Sequence, residues 1–202
     1  MTIIDDDEVI IGYYPKKLIP ALKLQVVADL SGKTGWLAGK YDRMLAATLR
    51  AIRQLSDEQL QRRLPWRERW ALRDLFMHVL SFPELACLSH RHGSMSTDDM
   101  RASDARLRDV RTPEEMAAYG EGVRQQIIAF LQSNDMAAFD RVVPAHYGGE
   151  VTVLELLTII LSHSTHHLKQ AYWFIEHELG TPVLQPATDE DLEGIATPAA
   201  LF

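Results

Sequence analysis

The chain has 202 residues, 24% of them charged and 47% hydrophobic, which suffices for one globular domain with a real core. Its net charge of −7 argues against general nucleic-acid binding, and no run of 18 apolar residues is present to span a membrane. One cysteine, Cys87, excludes an internal disulfide and any CxxC pair.

The first residues, MTIIDDDEVIIG, carry no basic stretch followed by an apolar one, so a cytosolic protein is expected. Residues 1–34 lack the long helical periodicity of residues 35–180. Within them, VIIGYYPKKLIPALKL (9–24) reads as a short apolar run, a turn at Gly12 and a short helix. It is expected to be an extension that packs on the main domain or on a neighbouring subunit.

Four long segments have helical periodicity, and no segment alternates as a strand. The first spans Gly35 to Leu55, with Trp36, Leu37, Tyr41, Leu45, Leu49 and Ile52 as its apolar positions. Ser56 and Gln59 then form a capping-box signal. The basic stretch RQLSDEQLQRRLPWRERW (53–70) reads as a solvated helix end. The second helix spans Arg69 to His90. It presents Leu72, Leu75, Phe76, Val79, Phe82 and Ala86 on one side, with Pro83 expected to kink or restart it. Thr112-Pro113-Glu114-Glu115 opens the third helix with an N-cap, a first-turn proline and a reciprocating glutamate. That helix stops at Ser133-Asn134-Asp135. The fourth starts at Thr152, with Glu155 three residues on, and ends at Leu179-Gly180. The connections His90–Arg111 and Asp135–Val151 are long; the first has room for a short helix, and Tyr147-Gly148-Gly149 in the second is a turn. Residues 181–202 are expected to be an irregular tail on the surface. Together these segments predict an all-α four-helix bundle over residues 35–180, with long crossover connections.

The fourth helix carries LSHSTHHLKQ (161–170). With His163 set at zero on a helical wheel, His167 lies near 40°, Gln170 near −20° and His166 near −60°, at about 100° per residue. The apolar positions Leu156, Leu157, Ile160, Leu161, Leu168, Ala171, Phe174 and Ile175 cover roughly 20° to 160°. His163 and His167 therefore sit one turn apart at the edge of the core-facing stripe. Two imidazoles at this spacing can share a metal ion. His166 falls toward the rim, where it either shuttles protons or is simply solvated. A third ligand must come from another element, and His78, among Ala71, Leu75, Val79, Phe82 and Ala86, is the candidate. A lone histidine there is ordinarily a hydrogen-bonded core residue. The combination with the HxxxH pair favours a metal. His90, His92, His146 and His177 read as surface or supporting residues, and Cys87 as a buried packing residue. Neither ExxH nor HExxH, nor a GxSxG elbow, nor a phosphate-binding glycine loop is found.

RWALRDLFMHVLSF, with YGGEVTVLELLTIILSHSTHHLKQ far downstream, resembles the DinB-like, or YfiT-like, metalloenzymes over about residues 36–180. The resemblance implies a bundle that is often dimeric, with a three-histidine site for a divalent metal: zinc, nickel, iron or manganese. On it the ligands map to His78, His163 and His167. Characterised relatives are mostly S-transferases and an isomerase using low-molecular-weight thiols, which implies a small electrophilic substrate and a thiol cosubstrate. Three neutral imidazoles leave a metal its charge and at least one open position, which suits the activation of water or a thiol. Asp74, one turn before His78, is a candidate to orient a ligand ring, or else a surface acid. Gln170 is a candidate to hydrogen-bond bound water or a ligand. The alternative is a bundle that binds a ligand or partner without catalysis, its metal structural or lost.

Overall fold

The protein is described by a computed structural model, which covers residues 2–4, 8–10 and 31–202. The chain divides into two units at Lys33/Thr34. In the first, β1 (Thr2–Ile4) pairs antiparallel with β2 (Glu8–Ile10), Ile3 opposite Val9. The turn at Gly12 and the short helix expected after it lie outside the described residues.

The second unit is mostly helical, and four long helices form its core: α1 (Ser31–Arg53, which begins just before the boundary), α3 (Leu72–His92), α5 (Pro113–Gln132) and α7 (Val153–His177). The capping signals act as the sequence predicts. The side chains of Ser56, Thr112 and Thr152 accept from the backbone N–H three residues on, and Gln59, Glu115 and Glu155 reach back to the capping residues' own N–H. Between the long helices lie three short ones: α2 (Asp57–Leu60), α4 (Thr97–Arg106) in the first long connection, and α6 (Met136–Asp140) in the second. A fourth short helix, α8 (Asp189–Leu192), interrupts the otherwise irregular tail.

α3 packs along α7 over the greatest length and against α5 next. Gly120 on α5 permits the closest approach: a Cβ there would stand 2.5 Å from Leu49 Cδ2 and 3.0 Å from both methyls of Leu80. Tyr41, fully buried on α1, donates its hydroxyl to the Leu157 carbonyl on α7 at 2.6 Å. Trp36 departs from the expected stripe and is 37% exposed. It lies about 140° from Tyr41 on the wheel, on the opposite face.

Besides β1–β2, two hairpins in the second unit correct the expectation that no segment forms a strand. β3 (Arg63–Leu64) pairs with β4 (Arg67–Ala71), and β5 (Val142–Pro144) with β6 (Glu150–Thr152). Each runs straight into a long helix, β4 into α3 and β6 into α7, so each fixes the start of its helix. The basic stretch before α3 is therefore solvated, but largely as a hairpin rather than as a helix end. α3 continues through Pro83 and runs on to His92, two residues past its expected end at His90; it stops at Gly93, whose φ of +84° favours a residue without Cβ.

The tail runs along α1 and α7. Arg50 Nε donates to the Gln185 carbonyl at 2.9 Å, and Lys40 Nζ to those of Glu190 and Asp191 at 3.0 Å. Lys169 Nζ donates to Thr197 Oγ1 at 3.0 Å.

Candidate metal centre

The α3–α7 contact brings His78 against the histidine pair of α7. His78 Nε2 and His163 Nε2 are 2.9 Å apart. The His167 ring centre lies 4.9 Å from that of His78 and 4.5 Å from that of His163. One ring nitrogen from each of the three falls within 4.8 Å of the others, so the group could hold a metal ion. The donor set fits such an ion: three imidazoles are borderline ligands for zinc, nickel, iron or manganese. The His78–His163 nitrogen pair, at 2.9 Å, is somewhat shorter than the ~3.4 Å edge that tetrahedral metal–nitrogen bonds of ~2.1 Å give.

Protonation is also suitable. Burial first, and then the neighbouring His163 and His167 rings, lower the pKa of His78 to about 2. Burial, then His167, lowers His163 to about 3. His167 is lowered by burial, partly offset by its hydrogen bond to Gln170. All three rings are therefore neutral at pH 7, the form that ligates.

The walls are aromatic. Trp70, on β4, stands edge-on to His78 at 5.0 Å. Phe82, one turn beyond His78, is 3.9 Å from its ring and stacks on His163 at 5.1 Å. The guanidinium of Arg67 lies 3.8 Å over the Trp70 ring, and its charge helps hold all three imidazoles neutral. A cavity of 640 Å³ opens beside His78 between α3 and α4, lined among others by Trp70, Met77, Met100, Arg69 and Arg108. That volume suits a small organic molecule.

Gln170 lies with the three histidines but faces a ring rather than open space. His167 Nδ1–H donates to its Oε1 at 2.7 Å, which leaves His167 Nε2 as the lone-pair nitrogen. Asp74 is elsewhere. Its Oδ2 accepts the Ala71 N–H at 2.9 Å and its Oδ1 accepts from Arg73 at 3.0 Å, so it caps α3. His166 is half-buried rather than fully solvated; its Nε2 is 3.3 Å from Gln170 Nε2, and its Nδ1 is buried without a partner. Cys87 is buried, and desolvation pushes its thiol up to about 12.

His146 belongs nearer the centre than the sequence indicates. The β5–β6 turn sets its ring 5.5 Å from Phe82, with Nδ1 buried and unpartnered. The signal was local: a histidine just ahead of a Gly-Gly turn on a hairpin that leads into α7. Recognising that hairpin was necessary to place it.

Neither a curated protein nor a solved structure matches the chain. The sequence profile of the DinB superfamily matches residues 40–171, which include α3, α5, most of α7 and all three histidines. The chain therefore belongs to the DinB superfamily.

Proposed function

We propose that the protein is a metal-dependent enzyme in which His78, His163 and His167 bind a divalent cation. It transfers a low-molecular-weight thiol to a small electrophilic molecule, or hydrolyses one. The convergence of three neutral imidazole nitrogens within 4.8 Å carries this reading. A divalent ion held by three imidazoles supplies an acidic open position that lowers the pKa of water or of a thiol. The chain's own residues do the rest. Gln170 holds the His167 ring in the ligating tautomer. Trp70 and Phe82 shield the ring nitrogens from bulk water. The cavity beside His78 takes the organic substrate, with Arg69 and Arg108 at its edge. By analogy with the superfamily, the enzyme acts in the cytosol as a homodimer, with residues 35–180 as the catalytic bundle.

Metal content measured by mass spectrometry after purification without chelator tests the site. Near-stoichiometric metal in the wild type, lost in His163→Ala, is expected; metal-free wild type, or unchanged metal in the variant, refutes it. Turnover is then tested with electrophiles and glutathione-type thiols. Activity abolished by His167→Ala supports the enzyme, whereas silence across the panel favours a bundle that only binds its ligand.

A further inference from the structure

The tail ends on the candidate centre. Gln170, only 6% exposed, donates its Nε2 to the Leu201 carbonyl at 2.6 Å. A carbonyl only accepts, so this contact decides which end of the amide faces it. The amide nitrogen points at Leu201, and the oxygen therefore points at His167 Nδ1, 2.7 Å away. An oxygen in that place requires a proton on Nδ1 and leaves the lone pair, and so the ligating role, to Nε2. Four further contacts hold the tail, and with it the carbonyl, in position. Phe202 lies 4.3 Å from the Trp66 ring at the tip of the β3–β4 hairpin, and 5.0 Å from Trp173 on α7. Lys169 binds Thr197, and Ser162 Oγ donates to the Ala196 carbonyl.

We propose that residues 197–202 are a positioning element of the metal centre: the Leu201 carbonyl orients Gln170, Gln170 fixes the tautomer of His167, and Phe202 anchors the carbonyl on Trp66 and Trp173. The proposal rests on His167 being a metal ligand. It makes the tail, which lies beyond the matched residues 40–171, part of the site's outer layer. Outer partners of ligating histidines typically change metal affinity by about 10- to 100-fold when lost.

The test compares wild type, a protein shortened to end at Ala200, Phe202→Ala and Phe202→Tyr. Zinc affinity is read by competition with a chromophoric chelator. The tautomer of His167 is read by nitrogen NMR on metal-free protein, a signal that simple packing would not move. The wild type is expected to carry the proton on Nδ1. Shortening should weaken zinc binding about tenfold and shift the ring toward the other tautomer. Phe202→Ala should do so partially, and Phe202→Tyr should behave as wild type. A shortened protein with the wild-type tautomer and an affinity within about twofold of wild type overturns the proposal. If shortening also unfolds the protein, Phe202→Ala, whose ring is 57% exposed, decides by the same two readings. A wild type that binds no zinc refutes the metal reading instead, and the His167 tautomer alone then decides whether the tail governs Gln170.

Discussion

Acidifying the metal-free protein should destabilise it well before its carboxylates titrate. In the unfolded chain a histidine takes a proton near pH 6.5. In the fold, His78 takes one only near pH 2 and His163 only near pH 3. Their folded pKa values are depressed, so the unfolded state binds more protons, and stability present above pH 6.5 is lost as the pH falls toward those values. Between pH 7.5 and 5.0 each ring should cost about 2 kcal/mol, or about 4 kcal/mol for the pair, with His167 adding in the same direction. That is a large share of the ~5–15 kcal/mol that holds a domain folded. Urea unfolding with chelator present, at pH 7.5 and 5.0, measures the difference. The double variant His78→Leu/His163→Leu should lose most of it. An equal loss in the variant, or a wild type whose stability changes by less than about 1 kcal/mol, would refute the assignment of neutral, desolvated rings.

Packing yields further expectations. Gly120→Val should cost about 1–3 kcal/mol, because even its Cβ would overlap Leu49 and Leu80. Gly122→Ala, with open space around its Cβ, should instead gain up to about 1 kcal/mol; thermal unfolding of the two variants separates packing from helix propensity. Tyr41→Phe removes the buried hydrogen bond to the Leu157 carbonyl and should cost about 1 kcal/mol by urea titration. Cys87, buried with its thiol pushed up to about 12, should react with iodoacetamide only as fast as the protein opens; rapid labelling of native protein, read by mass spectrometry, would contradict its burial.

The legible parts of this protein are those written at helical spacing. His163 and His167 are four residues apart, and any helix there must put them on one face. His78 could be aimed inward because Leu75, Val79 and Phe82 surround it on a strongly amphipathic helix. The caps at Thr112 and Thr152 are three-residue patterns whose chemistry is local. The β3–β4 hairpin was hidden because strands of two and five residues are too short to show an alternation, and RERW exposes every residue but the last. That hairpin is what carries Trp70 and Arg67 to the walls of the centre and Trp66 to Phe202. Leu201 is farther from legibility still: it acts through a backbone carbonyl, which no residue type announces, on a side chain 31 positions away.

Proton release on metal binding offers a sharper view of the same centre. Three ordinary imidazoles at pH 6.5 are half protonated, and a metal that needs them all neutral would expel about 1.5 protons. Here the native rings of His78 and His163 are already neutral at that pH, and His167 is lowered as well. The 2.9 Å contact between His78 Nε2 and His163 Nε2 still requires a proton on one of them in the metal-free state. A metal ligated through both would move that proton to the far nitrogen of the same neutral ring rather than to solvent. Zinc titrations by calorimetry in buffers of different ionisation enthalpy should therefore report fewer than about 0.5 protons released at pH 6.5. The affinity should also fall by less than about tenfold between pH 7.5 and 5.5, against about a thousandfold for unperturbed rings. Release of more than about one proton would mean that the histidines are solvated and charged before the metal arrives. In that case the aromatic walls and the tail would shield nothing, and the centre would be an open surface cluster rather than a preorganised site.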